Sequence, residues 1–258
     1  MTCAPHTHML ADMHPTELTQ PDRYPLSAQY DPAWILSLDM GPHPLWQLED
    51  LLRDLDLSPG SRVLDLGCGQ GATSVFLVRE CDVDVVAFDL WVEEDVLRSN
   101  LQAQGVLDRV TPVNGDVRDA PFEDGAFYAI VSIDAFEYFG TDVRLIPSLV
   151  RLLKRHGGIG MTTPALRTDP YQSPPPAYVT KVIGWEAGGW HAPDWWATHW
   201  HLSGLVDNVT ARMQERGRED WLRWSRALSE DENGPVISML EADEDDQIGF
   251  SIVSATKK

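Results

Sequence analysis

Asp65 stands two positions before three alternate glycines, Gly67, Gly69 and Gly71, at the end of the apolar run Arg62-Val63-Leu64-Asp65-Leu66. Cys68 and Gln70 fill the positions between, and Ala72-Thr73-Ser74-Val75-Phe76-Leu77-Val78 continues as a helix-like segment. The pattern is that of a buried strand turning tightly into a helix, with a ligand seated in the turn. Glycines serve there because the backbone must take conformations that a Cβ would block and must come close to whatever binds. Two further acids, Asp89 and Asp116, follow the second and third apolar runs.

The loop satisfies two known patterns. Gly67, Gly69 and Ala72 fit the looser Gly-x-Gly-x-x-Gly/Ala fingerprint of dinucleotide-binding folds, in which a pyrophosphate rests on the helix N-terminus; that would make an NAD(P)-dependent oxidoreductase. An acid followed by Gly-x-Gly-x-Gly resembles motif I of the class I S-adenosylmethionine (SAM) dependent methyltransferases. Asp65 separates the two. A site for phosphates has little use for a carboxylate, whereas SAM carries an ammonium and a sulfonium and no phosphate. A SAM-binding protein without turnover is the third reading.

The resemblance implies roles for particular positions. Asp89, 20 residues after Gly69, takes the place of the acid that grips both ribose hydroxyls. Its two oxygens suit a vicinal diol. Leu90 and Trp91 would lie against the adenine, where an aromatic face gains from stacking. In Gly115-Asp116-Val117-Arg118 the Asp116 carboxylate would accept from the adenine amino group while the Val117 N–H donates to a ring nitrogen. Ser132-Ile133-Asp134-Ala135-Phe136-Glu137-Tyr138 ends the fourth strand, so Ile133 and Asp134 would line the methionine part and the substrate. The motifs span roughly residues 45 to 165, and the remainder agrees by order of elements. Within the family the chain looks most like small-molecule methyltransferases of the ubiquinone/menaquinone-biosynthesis type. Met40-Gly41-Pro42-His43-Pro44-Leu45-Trp46 and Pro193-Asp194-Trp195-Trp196 are similar to segments of bacterial members. A helix containing Trp221 and Trp224 departs from that pattern.

Methyl transfer from a sulfonium is an in-line displacement, so alignment and exclusion of water matter most and S-adenosylhomocysteine is the product. A general base is needed only when the acceptor must lose a proton. The candidates are His191, Tyr138 and Glu137, with Asp134 and His43 behind them. His191 lies in the aromatic, glycine-rich stretch Gly188-Gly189-Trp190-His191, and its ordinary pKa is near neutrality. Trp185, Trp190, Trp195, Trp196 and Trp200 form either the core of a cover over the sheet or an aromatic box for an apolar or cationic acceptor. His199 and His201 face different ways on a helix, and no metal is expected.

Positioning these residues requires strands and helices in alternation. Strands are predicted at 62–66, 84–89, 109–114, 127–133, 159–163, 206–213 and 248–254. Helices are predicted at 45–55, 72–78, 93–104, from Thr141 to Gly157, 193–203 and 220–228. That order gives an α/β fold, a seven-stranded mostly parallel sheet with helices on both faces. An antiparallel seventh strand is implied by the resemblance alone. Residues 1–28, with Cys3, His6, His8 and His14, read as a loose arm, and residues 29–258 as one domain with an N-terminal helical extension and a Trp-rich lid at about 165–204.

Composition narrows the partners. The 258 residues hold 40 Asp and Glu against 20 Lys and Arg, a formal charge of -20. Nucleic acids need clustered Lys and Arg, so a nucleic-acid methyltransferase is disfavoured and a small-molecule substrate expected. Three scattered cysteines fit a reducing cytoplasm, and no apolar run approaches a membrane span. No oligomeric state is implied.

Overall fold

The computed structural model describes residues 18–229, 231 and 233–258. Seven strands, β1 (Arg62–Leu66), β2 (Asp84–Asp89), β3 (Val110–Asn114), β4 (Phe127–Ile133), β5 (Leu153–Leu166), β6 (Val206–Met213) and β7 (Ile248–Lys257), form one sheet in the order β3-β2-β1-β4-β5-β7-β6. The pairings from β3 to β5 are parallel, and β7 enters antiparallel between β5 and β6. The central strands are buried on both faces, which is why they read as continuous apolar runs.

Alternate residues feed two cores. Val63, Val85, Ala87 and Val131 face α2 (Pro44–Leu51), α3 (Ala72–Cys81) and α4 (Glu94–Ala103), while Leu64, Val86, Phe88 and Ile130 face α5 (Leu145–Leu152) and α7 (Pro193–Leu202). Preceding these helices is α1 (Pro32–Ser37), and α6 (Ala177–Ile183), α8 (Gly217–Leu228) and α9 (Pro235–Glu241) cover the lid end of the sheet. There Val179, Trp190, Trp221, Met239, Leu240 and Phe250 make a third cluster.

The helix predicted from Thr141 to Gly157 moves at both ends, and β5 is longer than its predicted 159–163. α5 starts at Leu145, not Thr141: Asp142 accepts from the Arg144 N–H in a turn of its own, and Pro147, which lacks an N–H, is tolerated only in a first helical turn. α5 then ends at Leu152 and runs straight into β5, so Gly157 terminates no helix. It sits where the β4–β5 register shifts, and a Cβ there would lie 2.6 Å from the Tyr128 carbonyl oxygen. α6 and α9 were not predicted; Gly234-Pro235, with proline in the first helical turn, is the signal for α9.

The loose arm is corrected for the part that is described. Leu18 and Tyr24 are buried, and Tyr24 stacks on Trp46. Asp220, at the start of α8, accepts from Gln20 Nε2 at 2.9 Å, Arg23 Nη1 at 2.7 Å and the Tyr24 hydroxyl at 2.8 Å. Glu49 on α2 accepts from the backbone N–H groups of Leu26 and Ser27. Such long-range polar anchors leave no trace in local composition. Cys3, His6, His8 and His14 lie outside the described residues.

Replacing Asp220 with Ala strands three buried or half-buried donors at once. Chemical denaturation is expected to show a loss of about 3 kcal/mol with an unchanged denaturant slope.

Candidate functional site

The loop after β1 is drawn against the end of β2. The N–H groups of Gly67 and Cys68 donate to the Phe88 carbonyl, and Gly69 N–H donates to Asp89 Oδ2 at 2.8 Å. Asp89 Oδ1 accepts from the N–H groups of Trp91 at 2.7 Å and Val92 at 2.9 Å. Gly67, at φ 73°, must be glycine for a second reason: a Cβ would stand 2.4 Å from that of Ala135, after β4. Gly71, at φ 96°, caps α3.

Behind the loop, Asp65 is fully buried. Its Oδ2 accepts from Thr73 Oγ1 at 2.7 Å and Ser74 Oγ at 2.6 Å, both in the first turn of α3. Its Oδ1 is sealed from solvent with no hydrogen-bond partner. Burial lifts its pKa from 3.8 to about 6 against the two hydroxyls. Burial, with Asp65 and Asp89 nearby, also raises the Cys68 thiol well above its ordinary value, so the sulfur stays protonated.

A narrow cleft lies over the loop, lined by Gly67, Cys68, Gly69, Gln70, Asp89, Trp91, Ile133, Asp134 and Tyr138. The strap Met40-Gly41-Pro42 crosses it, and a Cβ on Gly69 would lie 3.1 Å from the Met40 sulfur. As a result the cleft holds only about 90 Å³. Beside it opens a cavity of about 480 Å³ that shares Met40, Gly41, Pro42, Asp134 and Tyr138 as its near wall. Glu137, Tyr171, Trp185, Glu186, Trp190, His191 and Trp221 are among the residues that complete it.

These placements sort the sequence candidates. Asp65 stands behind the cleft, and Gly71 begins the helix beneath it. Leu90 is half exposed, and neither it nor Asp116 nor Val117 lines the cleft. Arg118, through both its backbone and side chain, engages Asp116 and holds its carboxyl below the usual range; Val117 is buried in the core. Trp91 is 62% exposed and meets Tyr138 edge-on at 4.9 Å across the mouth.

Among the proton-transfer candidates, Glu137 lines the larger cavity and accepts from Thr163 Oγ1 at 2.6 Å. Burial pushes its carboxyl up to about 7. Tyr138 is raised too, by burial and the Glu137 and Asp134 charges. His191 is buried, stacked on Trp195 at 3.6 Å, with Nδ1 3.1 Å from Asp169 Oδ2. Its pKa is lowered by burial, the Asp169 contact opposing. His43 is structural: its Nδ1 accepts from Trp46 N–H to cap α2, and burial lowers its pKa to about 3. Trp196 and Trp200 are wholly core, whereas Trp190 and Trp185 reach the cavity. Sequence reasoning missed Asp169, Thr163, Tyr171 and the strap residue Asp39. Asp169 and Tyr171 follow the carboxyl end of a strand, where ligands collect in open sheets, and that rule could have flagged them.

Residues 63–157 match the family model described as a methyltransferase domain. Over that stretch the chain is similar to methyltransferase domains. Among curated relatives, glycine/sarcosine/dimethylglycine N-methyltransferase of Actinopolyspora halophila is 32% identical over 111 residues, 43% of this chain and 20% of that protein. A probable fatty acid methyltransferase of Pseudomonas putida is 38% identical over 95 residues, 36% of this chain and 24% of that protein. The methyltransferase domain thus spans a quarter or less of those relatives' length. Among solved structures, geranyl diphosphate C-methyltransferase from Streptomyces coelicolor A3(2), in complex with Mg2+, geranyl-S-thiolodiphosphate and S-adenosyl-L-homocysteine, superposes with a TM-score of 0.67 at 19% identity, covering 99% of this chain and 100% of that one. The fold is therefore the class I methyltransferase fold, antiparallel seventh strand included. Among the described residues no helix is long and apolar enough to cross a membrane.

The cofactor of such a domain is S-adenosylmethionine, and the donor set fits it. A sealed, unpartnered carboxylate oxygen on Asp65 is complementary to a ligand ammonium. Oδ1 of Asp89 already accepts twice and Oδ2 once, which leaves Oδ2 with the open lone pair for a ribose hydroxyl. Met40 has to move off Gly69 before a molecule of that size can seat, because small-molecule sites run from roughly 300 Å³ upward.

The raised pKa of Asp65 has a sign that can be checked. The folded chain binds its proton more tightly than the unfolded chain, so the stability it contributes is complete below about pH 4 and lost as pH rises through about 6. Asp65→Asn keeps an acceptor for Thr73 and Ser74 without the charge. In denaturant titrations of ligand-free protein, the variant should gain up to about 3 kcal/mol on wild type between pH 4 and pH 8.

Proposed function

We propose that the protein transfers a methyl group from S-adenosylmethionine to a small-molecule acceptor in the cytoplasm. The observation that carries this reading is the shared wall. Asp134, Tyr138 and the strap Met40-Gly41-Pro42 belong to both the narrow cleft over the glycine loop and the 480 Å³ cavity beside it. A cofactor in the first is thereby in reach of an acceptor in the second. The sulfonium supplies an electrophilic methyl carbon, displaced in line with the bond's electrons left on sulfur.

The chain's own residues do the rest. Asp65 and the glycine loop would hold the amino-acid end, Asp89 would orient the ribose, and Trp91 would offer an aromatic face at the mouth. Tyr138 closes the mouth against Trp91 and, with the strap, excludes water from the junction. The cavity's size suits a small molecule, and the net charge of -20 disfavours nucleic acid. Unpaired Cys68 and Cys81 agree with a reducing compartment.

Calorimetric titration with S-adenosylhomocysteine, S-adenosylmethionine and NAD checks the assignment. Both SAM species are expected to bind and NAD not to; Asp89→Ala should weaken both by at least about thirtyfold, the worth of a charge-assisted hydrogen bond. Binding of NAD alone would overturn the proposal.

A further inference from the structure

Every charged side chain that lines the larger cavity is acidic. Asp134, Glu137 and Glu186 face it, and among the described residues no Lys or Arg does. Asp134 is held after β4 in a left-handed conformation, at φ 53°, with Oδ1 sealed from solvent and without a hydrogen-bond partner. On its other side a Cβ at Gly41 would fall within 2.4 Å of Oδ2, so the strap is cut to the shape of this carboxylate. Asp39, which accepts from Trp224 Nε1, adds negative charge from the strap. His191 contributes no countercharge at neutral pH, because burial depresses its pKa.

Tyr138, Tyr171, Trp185, Trp190 and Trp221 bring aromatic rings to the walls, beside aliphatic residues such as Met40, Pro164 and Ile183. Aromatic faces attract a cation and accommodate an apolar body. An anionic acceptor would meet uncompensated repulsion. A neutral hydroxyl would supply no countercharge for Asp134 and Glu137.

We propose that the cavity receives a protonated amine on an aromatic or aliphatic body, bound by Asp134, with Glu137 as the base that frees its nitrogen. The acceptor role rests on the function proposed above. In the proton step one N–H bond of the ammonium breaks, an O–H bond forms on Glu137, and the nitrogen keeps the electron pair. Thr163 holds Glu137 in place for this, and the proton leaves to solvent when the cavity opens. Burial sets Glu137 near neutrality, where a carboxyl can both take and release a proton.

The test is calorimetry with three probes of one shape and different charge: phenethylamine, 2-phenylethanol and 3-phenylpropanoate, each titrated with and without S-adenosylhomocysteine. Phenethylamine should bind at least about tenfold tighter than the alcohol, and the propanoate weakest of all. A bound cation favours the ionised carboxyls, so amine binding should release protons, seen as heats that differ between buffers, and its affinity should rise from about pH 5.5 to 8. Glu137→Gln should reduce the proton release and weaken the amine about tenfold, with the alcohol affected far less. Equal affinity for amine and alcohol, or no amine binding, overturns the inference. So does Mg2+ alone binding to wild type, failing with Glu137→Gln and displacing the amine. Amine preference without S-adenosylhomocysteine binding overturns the cofactor reading and upholds this one.

Discussion

The Asp89 carboxylate takes a backbone hydrogen from Gly69 on one side and from Trp91 and Val92 on the other, and the site is organised around that clamp. It holds the end of β2 against the loop after β1, so the glycine turn has one shape rather than several. The turn in turn aims the start of α3, whose Thr73 and Ser74 reach back to Asp65. Gly67 is thereby brought against Ala135, and the loop becomes one wall of a cleft whose other wall is the end of β4. Without the clamp, a loop of three glycines would have much conformational entropy to lose on binding.

The charge distribution follows from what the clamp leaves uncovered. Asp65 is buried and Asp134 and Glu137 are half-buried, and in all three desolvation is the chief cause of a raised carboxyl pKa. Proteins keep such groups when a ligand completes them, since an unpaired buried charge is costly. Asp65 sits behind the cleft, Asp134 at its junction with the larger cavity, and Glu137 in that cavity. The molecule is thus built to lose electrostatic strain when positive charge enters from either side.

The parts of this arrangement legible in the sequence were those written in a few consecutive residues. Asp65 to Gly71 spells its turn locally. The bounds of β1, β2, β4 and β6 came out to the residue. The start of α5 was misjudged because a capping-type threonine outweighed a proline six residues on, and Gly157 because a strand bulge and a helix stop look alike in one dimension. The acceptor cavity was legible in part: Asp134, Glu137, Tyr138 and His191 are sequence candidates, but Tyr171 and Glu186 are not, and only the folded sheet brings these separated segments together. Asp116, a motif position, pairs with its neighbour Arg118 and stands outside the cleft lining.

β7 follows β6 in the chain, yet lies between β5 and β6 in the sheet. On a ribosome, β6 has no neighbour to pair with until the final strand has been made. Asp39 and Asp220 meet their partners only across the boundary between the two ends of the chain, so the strap is fastened late as well. A nascent polypeptide that has already produced the glycine turn, the clamp, Asp134 and Glu137 therefore still lacks a closed acceptor chamber.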